Sequence, residues 1–153
     1  MATIVKEDGT GTNPAANSYA DEADLQTYLD DRGLTVTKTL DILLITAMDY
    51  LEIQNYKGTK LLEDQPLAWP RDEEGVPDDI VKAQLVAAYQ SDTADLLSPT
   101  GQALKKEMYG RGAVELEYQD NTSSTTSYQA IDRLLNPYLI SAYGSANFAV
   151  TRA

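Results

Sequence analysis

The chain has 153 residues, 24 acidic against 12 basic side chains, a formal net charge of −12, and neither histidine nor cysteine. The missing residues exclude disulfides, thiol nucleophiles, thiolate or imidazole metal sites and Ser-His-Asp triads, which leaves carboxylate chemistry, lysine chemistry or none. The charge balance disfavours a grip on nucleic acid or on an anionic membrane, because holding phosphate needs lysine and arginine.

The acidic excess falls mostly in the first half of the chain, so one part of the folded object is expected to be far more negative than another. The start, Met1 to Asp8, has no apolar stretch of signal-peptide length, and the strongest apolar run is only Ile42-Leu43-Leu44-Ile45. A membrane span needs about 20 such residues. The reading is a soluble protein made inside the cell, with no membrane partner.

In chain order, residues 9–18 are a polar lead-in of turn formers. Ser18 can cap a first helix over about 19–32. Asp21, Glu22 and Asp24 suit its N-terminal end, Leu25, Tyr28 and Leu29 give an apolar side, and Gly33 stops it. The second helix carries the clearest pattern. Leu40, Leu43, Leu44, Ala47, Met48 and Leu51 form one stripe of period 3.6, with Thr37 or Thr39 as cap.

Residues 57–79 read as loop, with Pro66, Pro70 and Pro77 as punctuation. Within them, Gln65 to Arg71 should lie across the fold as an extended strap, with Trp69 as its anchor between Pro66 and Pro70. A third helix is expected from Pro77 or Asp78 to about Leu97, burying Ile80, Val81, Leu85, Ala88 and Tyr89. The period then changes to two. Val114, Leu116 and Tyr118 alternate with Glu115 and Glu117, so 104–118 reads as a β-hairpin turning at Gly110-Arg111-Gly112. Residues 119–127 are a polar linker. A last helix is expected over about 128–143, broken or kinked at Pro137.

The fold class that follows is mostly α: a small bundle of about four helices with one β-hairpin and extended terminal arms. Its domains are an N-terminal arm over 1–18, a helical domain over 19–143 and a C-terminal arm over 144–153. No catalytic, cofactor-binding or metal-binding residue is assigned. The cluster Asp72, Glu73, Glu74, Asp78 and Asp79 lacks the ligand spacing of a calcium loop and reads as a solvated surface. Lys105, Lys106 and Arg111 are the only basic cluster and suit a phosphate or an acidic partner. An enzyme is not expected.

The order of these blocks resembles one protein family. Asn13-Pro14-Ala15-Ala16-Asn17-Ser18-Tyr19 precedes the acidic helix, and Ala47-Met48-Asp49-Tyr50-Leu51 closes the second. Gln65-Pro66-Leu67-Ala68-Trp69-Pro70-Arg71 follows, then Ile80 to Ala88, then Val114 to Tyr118, then Ile131 to Leu139. This resembles the head–tail connector adaptor (head completion) proteins of tailed bacteriophages, over about residues 13–140.

The resemblance implies a structural virion protein of the neck, made in the host cytoplasm. It implies a homo-oligomeric ring of about a dozen subunits between the portal protein and a downstream neck or tail-terminator protein. Genomic DNA would pass through the channel without specific binding. On that reading Lys105, Lys106, Arg111, Val114, Leu116 and Tyr118 form an inter-subunit hairpin. Phe148, Val150 and Arg152 form a portal-binding arm, and Trp69, Pro66 and Pro70 are the structural anchor. The alternative function is a DnaT-like single-stranded-DNA-binding replication protein, which the negative charge argues against.

Overall fold

The first helix starts where two aspartates cap each other. Asp21 accepts from the Asp24 amide at 2.8 Å, and Asp24 accepts from the Asp21 amide at 3.1 Å. This reciprocal box outcompetes Ser18 and opens α1 at Glu22–Asp30, later than the sequence suggests. Gly33 follows at φ +60°, and the Leu34 amide reaches back to the Leu29 carbonyl at 2.9 Å. Only a residue at ease in that left-handed region closes a helix this way. The computed structural model describes residues 2–97, 104–110, 113–118 and 128–140.

The second helix, α2 (Leu40–Glu52), buries Leu43, Leu44, Ala47, Met48 and Leu51, the stripe read from its period. Helix α3 (Asp78–Ser91) packs along it. The face that α3 buries differs from expectation: Ile80, Ala83, Gln84, Ala87, Ala88 and Ser91 are inside, whereas Val81, Leu85 and Tyr89 are half-buried. The alanines let the helix axes approach closely, and the larger side chains then fall at the flanks. The helix also ends sooner than expected, because the Asp92 side chain turns back to accept from the Thr37 and Lys38 amides.

Helix α4 (Gln129–Leu135) is short. It passes into a single 3-10 turn at Asn136–Tyr138, where Pro137 cannot continue the α-helical ladder. It packs on α3 through Ile131 and Leu135, both fully buried.

The N-terminal segment is not an arm. Asn17 accepts from the Val5 amide at 2.8 Å and donates its own amide to the Val5 carbonyl at 2.9 Å, and the Glu7 amide donates to the Ser18 carbonyl at 2.8 Å. Ala16, Ser18 and Tyr19 are buried in the core. Extended terminal arms are therefore corrected at this end: the segment folds back on itself because its amides find acceptors there and its apolar residues find the helices. Residues 144–153, with Phe148, Val150 and Arg152, lie outside the described residues.

The packed domain is helix and loop, with no strand among its described residues beyond isolated bridges such as Tyr56 with Leu139. The expectation of a bundle with a hairpin built into it is corrected accordingly. Leu104–Gly110 and Ala113–Tyr118 pair antiparallel with each other alone, Tyr109 opposite Val114 and Lys106 opposite Glu117. A two-stranded ribbon by itself is marginal in water.

Candidate nucleic-acid interface

The strap is held by polar side chains as much as by Trp69. Gln65 donates to the carbonyls of Leu67 at 2.8 Å and Pro70 at 2.9 Å, and accepts from the Leu62 amide at 3.0 Å. The Trp69–Pro70 peptide is cis. Pro70 is fully buried, and the Trp69 ring meets Tyr56 and Tyr138 edge-on, with centroids 5.6 and 5.5 Å away. Pro66 opens the strap and, with Leu62 and Gly11, borders a shallow surface pocket.

Two polar nodes knit the body together: one ties this strap to α2, and the other ties the segment before α1 to α2 and α3. The Tyr19 hydroxyl donates to Glu52 at 2.6 Å and accepts from the Trp69 amide at 3.2 Å. The other Glu52 oxygen accepts from the Ala68 amide at 3.0 Å. Burial raises the Glu52 carboxyl above its ordinary value, against the pull of these donors. Burial and the adjacent carboxylate keep the Tyr19 phenol protonated well beyond its ordinary range. The second node is Gln84, whose carbonyl oxygen accepts from the Tyr19 and Ala20 amides while its amide donates to Ser18 Oγ and the Leu44 carbonyl. Neither node was assigned a role from sequence. The signal for Gln84 was present, since a lone polar residue stands four positions from both Ile80 and Ala88 on one helix face.

The cations decide where an anionic polymer can be held. On the helical body most of them are engaged internally. Arg71 donates to the carbonyls of Lys57 at 2.8 Å, Gly58 at 2.6 Å, Ala68 at 3.3 Å and Tyr56 at 3.5 Å. Lys6 pairs with Asp24 at 2.6 Å, and Lys38 donates to the Ser91 carbonyl at 2.5 Å. Lys57 and Lys60 donate to the carbonyls of Pro137 and Gln65, and Arg32 lies over the Tyr28 ring at 4.1 Å. These groups close loops and offset acids, and together they do not form a positive track.

The sequence-assigned basic cluster stands elsewhere. Lys105 and Lys106 lie on the Leu104–Gly110 strand of the ribbon, and Val114, Leu116 and Tyr118 lie on the Ala113–Tyr118 strand, while Arg111 falls outside the described residues. The acidic residues 72–74 and 78–79 border the strap and open α3. Among the described residues no group of three or more acids is arranged to hold a metal ion, and no helix is long and apolar enough to cross a membrane.

The buried polar side chains Ser18, Gln65, Gln84 and Ser91 each close hydrogen bonds within the fold. The chain belongs to the family described as "Putative DnaT-like ssDNA binding protein", whose model matches residues 1–153. Members of that family are non-catalytic, and this chain is not an enzyme. No curated protein and no solved structure matches it.

The family match overturns the reading of a phage head–tail connector, with its virion, neck and portal assignments. The physical reason lies in the residues that carried that resemblance. Gln65, Trp69, Pro70 and Arg71 hold the strap in place, so they report a way of folding and not a place in an assembly.

Proposed function

We propose that this chain is a non-catalytic single-stranded-DNA-binding protein whose contact surface is the basic ribbon at 104–118 rather than the acidic helical body. One observation carries this: most of the body's cations are engaged by its own carbonyls, carboxylates and rings, Arg71 above all, whereas Lys105, Lys106 and Arg111 are clustered in the sequence. A ribbon also suits a single strand, because extended backbone and alternating side chains follow an extended polymer.

Three cations support only weak binding per chain, with a log–log salt slope of about −2. Several copies on one strand multiply that, so binding as a homo-oligomer follows from the same arithmetic. The surrounding acids keep duplex DNA, with its denser charge, away.

The test is fluorescence anisotropy on a labelled oligothymidylate between about 50 and 200 mM salt. Binding should be salt-sensitive and should fall at least about tenfold when Lys105, Lys106 and Arg111 are all changed to Gln. Lys82→Gln with Arg133→Gln, two exposed body cations, should leave it unchanged. No binding in this range, or equal loss in both variants, would refute the proposal.

A further inference from the structure

A cleft of about 460 Å³ opens between the end of the strap and the 3-10 turn. Trp69 and Tyr138 supply its aromatic wall, and Asp72, Glu73 and Glu74 line its rim beside Val76 and Pro77. We propose that this cleft is a docking site for a lysine- or arginine-bearing peptide segment of another protein. The proposal stands apart from the DNA-binding reading.

Charge is the first argument. Glu73 and Glu74 are exposed and make no side-chain hydrogen bond or ion pair among the described residues, and Asp78 and Asp79 follow within one turn. Asp79 accepts from the Tyr138 hydroxyl at 3.3 Å, which brings this second pair of acids to the cleft's aromatic wall. Arg71 also lines the cleft, but its guanidinium is spread over four backbone carbonyls and is held in place by them. Carboxylates this close repel one another, and a cation between them relieves the repulsion.

A second observation is independent of charge. Trp69 is 7% exposed, and its indole N–H is a buried donor with no acceptor among the described residues. A buried donor without a partner costs about 1–3 kcal/mol. A peptide seated in the cleft brings backbone carbonyls as well as a cationic side chain, and aromatic rings favour such cations nearby. Acids, aromatic wall and unanswered donor together match a basic peptide and match neither phosphate nor a fatty chain.

Trp69 is the only tryptophan, so intrinsic emission reports on this cleft directly. The full chain is titrated with tri-arginine amide at low salt, and with a tri-glutamate peptide as control. The expected result is a saturable change in Trp69 emission with tri-arginine only, half-complete below about 1 mM and weakened at high salt. Glu73→Gln with Glu74→Gln should weaken it at least about fivefold, with the far-ultraviolet circular dichroism unchanged. Asp31→Asn with Glu63→Gln removes as much charge elsewhere on the exposed surface and should not weaken it. An unsaturable response, or equal weakening in both double variants, overturns the proposal, since net charge alone would then explain the effect.

Discussion

The Tyr19 hydroxyl donates to Glu52 at 2.6 Å, joining the segment before α1 to the last turn of α2. The same oxygen accepts from the Trp69 amide at 3.2 Å, so one phenol joins three parts of the chain. Such a group is costly to delete because both of its partners are left in a low-dielectric site.

Tyr19→Phe keeps the ring and removes the bridge. It should destabilise the protein by about 1–3 kcal/mol, the cost of buried partners left unpaired. Urea denaturation should show a lower midpoint and an unchanged slope. An unshifted midpoint would mean that water replaces the hydroxyl and that the node contributes nothing to stability.

Glu52 sets a pH dependence of its own. Burial raises its pKa above the ordinary 4.5 in the folded chain. The folded state then holds that proton more tightly than the unfolded state does. Its contribution is therefore most favourable below 4.5 and declines as pH rises through the raised value. Glu52→Gln abolishes this term while losing one acceptor. Relative to wild type, the variant should fare better at about pH 8 than at about pH 4. A wild-type-minus-variant difference that is flat across this range would show that the carboxylate is not desolvated.

Gln84→Leu preserves side-chain volume and removes every hydrogen bond of the node. The Tyr19 and Ala20 amides and the Ser18 hydroxyl lose their buried partner. The expected loss is about 3 kcal/mol or more. Hydrogen exchange should localise it, with protection falling at residues 19 and 20 before the middle of α2. Uniform loss across all helices would argue that Gln84 acts through packing alone.

Gly58 is constrained twice. It sits at φ +77°, and a Cβ there would overlap the Asp72 carboxylate, which accepts from the Thr59 amide at 2.9 Å. Gly58→Ala should cost about 1–3 kcal/mol through left-handed strain and the displaced acceptor. In Asp72→Ala the overlap is gone, so Gly58→Ala should cost less in that background. Thermal melts of the four proteins form the cycle, and strict additivity would rule out the overlap.

Much of the helical content was legible before any coordinates. The α2 stripe from Leu43 to Leu51, the stop at Gly33, the proline-bound strap and the break at Pro137 are local patterns, encoded within a turn or two. The absence of histidine and cysteine narrowed the chemistry in the same direct way.

Tertiary structure alone decided the rest. Asp21 rather than Ser18 caps α1, because Ser18 is engaged by Gln84, 66 residues away in sequence. The face of α3 turned toward its alanines, because burial depends on how closely the facing helix approaches and not on which side chains are largest. The segment 2–18 became part of the body because Asn17, Glu7 and Ser18 met backbone partners there. Hydrophobic period is a property of one segment, whereas the partner of a buried polar group is a property of two segments, and no spacing within either one specifies the other.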